Sequence, residues 1–457
     1  MLKNTEAERR FYTLMSGLGI LVIHVLFIYL ILHYNYNSLF RTQLYFRGHM
    51  LVSGVYMAAF VYLGGVFGGL LVGMRKKGEV LFTEVFTAAF ADGIFYLMVM
   101  MYSFSFPTLV PLLLALLSQI LCSFLWIWGC DWLYRRLFKP YEVLLVYSGG
   151  SVESFERKLK QRSDQLRISR RICASESMED IFRAVDEVHT VILWDIPVAE
   201  RNIIFKYCYE NSKRIFVSPK IPDIIFNGAA SVHMLDTPLL RTDGNPLEYE
   251  ERIIKRFFDL ILALLLIVIA SPVMLITAVA IKVSDGGPVL YSQVRCTKGM
   301  RKFYIYKFRS MIVDAEKKSG ARLAMEKDDR ITPVGRFIRK VRIDELPQLF
   351  NVLKGDMSFV GPRPERPEFI EKYMQDMPEF SYRTKVLAGI TGYAQLYGKY
   401  NTSPYDKLKL DLYYIEQYSL LLDLKLIILT AKILFTMEST EGTSEVVTAE
   451  ADGKEKH

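Results

Sequence analysis

IIKRFFDLILALLLIVIASPVMLITAVAIKV, residues 253–283, is apolar for long enough to cross a bilayer, yet both of its flanks are basic. Arg252, Lys255 and Arg256 stand at its start, and Lys282, Arg295, Lys298, Arg301 and Lys302 follow. A simple crossing would leave one basic flank outside, against the bias that keeps Lys and Arg on the cytoplasmic side. Midway stands Ser271-Pro272, where the proline lacks an N–H and crowds the carbonyl of Val268 four residues back. The pattern predicts a broken, re-entrant helix over about 257–283 that enters and leaves through the cytoplasmic leaflet.

Towards the N-terminus, the runs 11–33, 51–74, 81–104 and 107–130 each cover the roughly 20 residues that a transmembrane helix needs. Lys3, Arg9 and Arg10, then Arg75, Lys76 and Lys77, then Arg135, Arg136 and Lys139 mark one side, while the opposite loops carry only Arg41 and Arg47. Residues 1–138 are therefore expected to form a four-helix transmembrane bundle with both ends cytoplasmic. Asp92 and Gln119 inside it read as helix-to-helix hydrogen-bonding groups rather than a pathway. The first run is too long for a cleavable signal peptide.

A hydrophobic fraction of 51% fits an integral membrane protein, and the net charge of +8 points to lipid headgroups and phosphorylated substrates, not to nucleic acid. The five cysteines and six histidines are scattered, which argues against a disulfide framework and a histidine-based metal site.

Between these membrane segments, 139–236 alternates β-rich runs (EVLLVYS, LRISRRICA, TVILWDI, RIFVSP) with helical ones, the pattern of a Rossmann-like parallel α/β domain. The turn Ser148-Gly149-Gly150-Ser151 sits where such a domain binds pyrophosphate, but G-x-G-x-x-G is missing, so a regulatory or oligomerising module is expected. A turn-rich linker occupies 237–251, and 438–457 reads as a disordered polar tail.

Past the re-entrant segment comes VRIDELPQLFNVLKGDMSFVGPRPE, 341–365. Adjacent carboxylates repel, so Asp344 and Glu345 need a cation, a metal or a helix terminus beside them. Arg339, Lys340 and Arg342 lie just upstream, and Pro347 suits a first helical turn. A plain helix cap with a solvated neighbour is the ordinary use of an Asp-Glu pair. Arg363, held between Pro362 and Pro364, adds a rigid guanidinium suited to phosphate. Together they suit Mg²⁺-assisted phosphoryl chemistry, because Mg²⁺ commonly takes one or two carboxylates and completes its shell with phosphate and water.

The run from Lys255 to Asp423 resembles the catalytic domain of the monotopic phosphoglycosyl transferases, the bacterial sugar-transferase family. The resemblance is carried in order by KRFFD at 255–259, SP at 271–272, GPVLYSQVR at 287–295, FYIYKFRSM at 303–311, the Asp-Glu cassette, and AGITGYAQLYG at 388–398. The whole chain is similar to the large polyprenyl-phosphate members that begin capsule, exopolysaccharide or O-antigen synthesis. The resemblance implies an α-rich catalytic domain over 252–437 in the cytoplasmic membrane, facing the cytoplasm. It also implies transfer of a sugar 1-phosphate from a UDP-sugar to undecaprenyl phosphate, release of UMP, and a homodimer. Asp344 would be the nucleophile and a Mg²⁺ ligand, Glu345 its assistant, and Arg339 and Arg363 the phosphate-binding pair. Lys255, near the start of the helix broken at Ser271-Pro272, would pair with Asp423. Lys307, Arg309, Gln395 and Lys399 would contribute to nucleotide or sugar recognition, although relatives often carry arginine where Lys399 stands. A prenyl-phosphate phosphatase or a nucleotide-sensing membrane regulator is the alternative to a transferase.

Overall fold

A computed structural model describes residues 6–149, 152–160, 165–244, 246–312, 330–398 and 402–434. The expected tail at 438–457, Lys399, and Gly150 and Ser151 of the strand-end turn lie outside the described residues. The chain divides into two compact units, Met1–Ser218 and Pro219–His457.

The first unit begins with helices α1 (Glu6–Ile31), α2 (Phe46–Phe67), α3 (Lys77–Ser103) and α4 (Val110–Leu137). Each belongs to a segment long and apolar enough to cross a membrane. Each packs on two neighbours, α1 and α3 both touching α2 and α4. Phe11, Val22, Leu117 and Leu121 face outward, whereas His24, Glu84, Asp92 and Gln119 are buried. That inside-out polarity suits a lipid surround. At Gly19 the indole of Trp126 lies so close that a Cβ would come within 2.3 Å of it, and Trp126 Nε1 donates to the Ser16 carbonyl at 2.9 Å. The second helix stops at Phe67 rather than near Met74, because Gly68 takes the left-handed conformation (φ 77°) that ends a helix.

Next come strands β1 (Tyr141–Tyr147), β2 (Leu166–Cys173), β3 (Thr190–Trp194) and β4 (Arg214–Val217), interleaved with α5 (Val152–Lys160), α6 (Met178–Asp186) and α7 (Val198–Glu210). They form one parallel sheet in the order β2-β1-β3-β4. Val143–Val146 of the central strand are buried, as a strand covered on both faces must be. The Ser177 hydroxyl accepts from Asp180 N and starts α6.

The second unit opens with α8 (Ile221–Asn227), whose Ile221 and Ile224 join a core with Leu408, Leu412 and Ile415. Thus 219–236, which the sequence reading grouped with the α/β segment, belongs here. Strands β5 (Ala230–Met234) and β6 (Thr237–Arg241) pair antiparallel, so part of the expected linker is a hairpin.

Helix α9 (Tyr249–Asp285) is 37 residues long and continues through Pro272. The Ser271–Pro272 step is therefore accommodated inside one helix instead of separating two. The Val268 carbonyl, deprived of its N–H partner by Pro272, accepts from Ser271 Oγ at 2.8 Å. After it come a hairpin of β7 (Leu290–Cys296) and β8 (Lys302–Phe308), then α10 (Pro333–Lys340), α11 (Gln348–Lys354), β9 (Met357–Val360), α12 (Pro367–Asp376), β10 (Ala388–Thr391), α13 (Tyr393–Tyr397), α14 (Pro404–Glu416) and α15 (Leu420–Leu434). Strands β9 and β10 run parallel, and Gly389 within β10 packs backbone on backbone with Gly361 just after β9, as does Gly392 just after β10. A Cβ on Gly389 would fall 2.1 Å from Gly361 N, so only glycine permits this approach.

Candidate active site

The motif KRFFD at the head of α9 anchors that helix residue by residue. Lys255 Nζ lies 2.5 Å from Asp423 Oδ2, and Tyr414 OH donates to the other oxygen of Asp423 at 2.8 Å. Burial pushes the Asp423 carboxyl up, against the pull of Lys255. Arg256 donates to the carbonyls of Val352 and Leu353 at 2.6 and 2.9 Å, in the last turn of α11, where helix carbonyls lack partners. Asp259 accepts from Phe359 N at 3.0 Å. Phe257 and Phe258, between these anchors, stay exposed.

Those contacts fix α11, and the chain just before it carries the acid pair. Arg342 adopts a left-handed conformation (φ 56°) that is costly for a residue with a side chain, and it throws Ile343–Glu345 into a single 3₁₀ turn. Asp344 is therefore not a helix cap. Fully buried Asn351 ties α11 to β8, donating to Tyr304 O at 2.7 Å and accepting from Tyr306 N at 3.0 Å. This sets the next residue of that strand, Lys307, against the acids.

Lys307 Nζ lies 3.0 Å and Arg363 Nη2 3.2 Å from the same Glu345 oxygen. Asp344, by contrast, makes no hydrogen bond or ion pair among the described residues. The two carboxyls are driven apart. Burial and the Glu345 charge push Asp344 up, against Lys307, Arg339 and Arg363. Burial also acts to raise Glu345, but Lys307, Arg363 and Arg342 outweigh it and hold that carboxyl well below the usual range. Paired acids with separated affinities for protons are a signature of divided chemical roles.

Lys307 and Arg363 also line an open recess of about 250 Å³ with Arg295, Gln348, Pro364 and Gly389. Behind it is a cluster that the sequence reading missed. Glu365 is shared by Lys407 and by Arg383 at 3.5 Å, and Arg383 pairs with buried Asp411 at 2.8 Å. Arg383 also donates to the Arg363 carbonyl at 3.0 Å, so it braces the Pro-Arg-Pro segment from behind. Although buried, Glu365 is held down to about 2 by Lys407 and Arg383. Its place directly after Pro364 was the available signal. Arg383 and Asp411 lie 28 residues apart, and nothing in the sequence around either marks the pairing.

Arg309 is 7% exposed and pairs with Asp285 at the far end of α9, an anchoring role distinct from the recess. Gln395 stands on α13 with its amide nitrogen buried and unpartnered. Neither Arg309 nor Gln395 lines the recess. Arg339, in the last turn of α10, acts on Asp344 through its charge. No cluster of three His, Cys, Asp or Glu suited to a metal occurs among the described residues. The uncommitted Asp344 carboxylate nevertheless fits a Mg²⁺ ion that draws its other ligands from substrate phosphate and water.

Residues 250–437 match the sequence model of the family described as Bacterial sugar transferase. The chain is 47% identical over 186 residues to a UDP-N-acetylgalactosamine-undecaprenyl-phosphate N-acetylgalactosaminephosphotransferase of Aeromonas hydrophila, covering 40% of this chain and 44% of that protein. It is 39% identical over 209 residues to a UDP-glucose:undecaprenyl-phosphate glucose-1-phosphate transferase of Escherichia coli, covering 45% and 43%. It is also 39% identical over 194 residues to the uncharacterized sugar transferase EpsL of Bacillus subtilis, covering 42% of this chain and 93% of that protein. The matches thus span less than half of the first two relatives and nearly all of the third. With residues 250–437, which include Asp344, matching the family model and 93% of EpsL covered at 39% identity, this chain belongs to the bacterial sugar transferase family.

Proposed function

We propose that the protein transfers a sugar 1-phosphate from a UDP-sugar to undecaprenyl phosphate and releases UMP. The carrying observation is the contrast within the acid pair, Asp344 uncommitted and Glu345 bound to Lys307 and Arg363. The names of the Aeromonas and Escherichia relatives support the substrate classes.

An Asp344 oxygen attacks the β-phosphorus of the UDP-sugar. The bond from that phosphorus to the bridging oxygen breaks, and UMP leaves with the oxygen. A phosphate oxygen of undecaprenyl phosphate then attacks the same phosphorus, breaking the acyl phosphate bond and restoring the carboxylate. Splitting the transfer lets UMP depart before the lipid arrives. Lys307 and Arg363, oriented by Glu345, face the diphosphate charge, and the charge of Arg339 favours the Asp344 anion against burial and Glu345. Mg²⁺, held by Asp344, would neutralise diphosphate charge when bound.

Helix α9 is read as re-entrant. Its head is held by Asp423, Val352 and Phe359, and its tail by Arg309 and by packing of Ile281 with Phe308 and Ile338, all in one unit. Leu264, Leu265, Val268, Ile269 and Ile276 are exposed between those ends, which suits immersion in one leaflet. On this reading the site lies at the cytoplasmic surface.

Purified protein given a panel of UDP-sugars should release UMP with one of them, and only with undecaprenyl phosphate present at turnover levels. Release of inorganic phosphate from undecaprenyl phosphate alone would instead indicate a phosphatase.

A further inference from the structure

The core of the four apolar helices holds more charge than membrane packing requires. Glu84 on α3 is 2% exposed, and its Oε1 lies 2.7 Å from Nε2 of His24 on α1. The same imidazole nitrogen is 3.0 Å from Ser123 Oγ on α4, and Nδ1 of His24 has no partner. Asp92, a second buried acid two turns along α3, accepts from Tyr56 OH of α2 at 2.9 Å. Two acids therefore face a single imidazole. From α4 come the uncharged Ser123 and Gln119, the latter beside Tyr56 and Asp92, and, about two turns past Ser123, buried Asp131, which pairs with Arg135 at 2.8 Å. In the loop after α2, Arg75 donates to the Phe67 carbonyl.

The second oxygen of Glu84, buried and without a hydrogen-bond partner, points into a small cradle beside Gly69. A Cβ on Gly69 would stand 3.1 Å from Glu84 Oε2, 3.3 Å from Thr87 Oγ1 and 3.5 Å from Thr83 Oγ1. Both threonines are fully buried, and both hydroxyl protons are committed, Thr83 to Val80 O at 2.8 Å and Thr87 to Thr83 O at 2.9 Å. Three oxygens, each presenting lone pairs, thus lie within 3.5 Å of the place where a Cβ on Gly69 would stand. An assembly of acceptors in low-dielectric surroundings calls for positive charge, and oxygen donors select a hard cation.

We infer that the cradle at Gly69, formed by Glu84, Thr83 and Thr87, is a site for an alkali cation inside the helical bundle. The site is independent of the transfer chemistry at Asp344. Thermal unfolding of the full chain in detergent tests it, with NaCl exchanged for N-methylglucamine chloride at constant ionic strength and constant pH.

An alkali site predicts that the wild-type Tm rises saturably with Na⁺ by about 2–4 °C, the scale of an ordinary ligand effect. That rise should be absent in Glu84→Gln and in Gly69→Ala, whose methyl group fills the cradle while keeping the carboxylate. Should Glu84→Gln fail to fold, Gly69→Ala still reads the effect. A wild-type Tm that does not respond to Na⁺, or identical Na⁺ responses in the wild type and in Gly69→Ala, would overturn the site.

Discussion

At the scale of single residues, the decisive feature is the division of labour between neighbours. Asp344 can attack phosphorus only when ionised, so activity should fall as pH drops through its titration. Burial and the Glu345 charge both move that titration upward. Glu345→Gln removes one of the two causes, and the acid limb of kcat/KM should move to lower pH. The same change frees Lys307 and Arg363 from their shared carboxylate, so the rate at the optimum should fall by roughly 10²-fold, the scale of losing oriented charge stabilisation. Arg339→Met should act in the opposite sense on the pH profile, moving the acid limb upward, because it deletes a cation that favours the Asp344 anion. Full pH profiles of the three proteins check both signs. The Asp-Glu pair and the Pro-Arg-Pro segment were legible in the sequence because their residue types and adjacency already demand compensation. The identity of the compensating groups was less so. Lys307 lies 38 residues from Glu345, and the left-handed turn at Arg342 that presents the acids has no residue signal, since glycine or asparagine would ordinarily mark it.

At the scale of elements, α9 is held by a buried ion pair at its head. Removing one partner leaves the other charged and unsatisfied, so Lys255→Met should destabilise the second unit by about 3–5 kcal/mol. Replacing both, as Lys255→Met with Asp423→Leu, should cost clearly less than the two single changes together, and denaturant titration in detergent reads that difference. The helix itself was plain in the sequence from its apolar run, as were the strands Tyr141–Tyr147 and Thr190–Trp194. The break expected at Pro272 did not separate two helices, because Ser271 supplies the hydrogen bond that proline denies to Val268. The hairpin Ala230–Arg241 escaped notice for another reason: Asp236 and Pro238 look like linker residues, and β6 is exposed along its length, so no alternation marks it.

For the molecule as a whole, the re-entrant reading makes a topological prediction. In a cysteine-free background, single cysteines at Glu250 and Ser284, one near each end of α9, should both react with a membrane-impermeant maleimide from the cytoplasmic side alone. Reaction of the two from opposite sides would establish an ordinary crossing. The boundary at Ser218 also shows what composition hides. Ile221 and Ile224 read like a continuation of the α/β pattern, yet their apolar faces are buried against Leu408, Leu412 and Ile415, nearly two hundred residues on. Such distant pairings are set by packing, which no local window contains.

The central claim, that Asp344 carries the sugar phosphate, is tested most directly by trapping the intermediate. Protein incubated with a UDP-sugar labelled at the β-phosphorus, without undecaprenyl phosphate, should acquire label and release UMP in equal amounts. Added undecaprenyl phosphate should discharge the label into lipid, and Asp344→Asn should acquire none while retaining its Tm. Wild-type protein that forms labelled lipid without ever carrying label, or an Asp344→Asn variant that labels normally, would contradict the account.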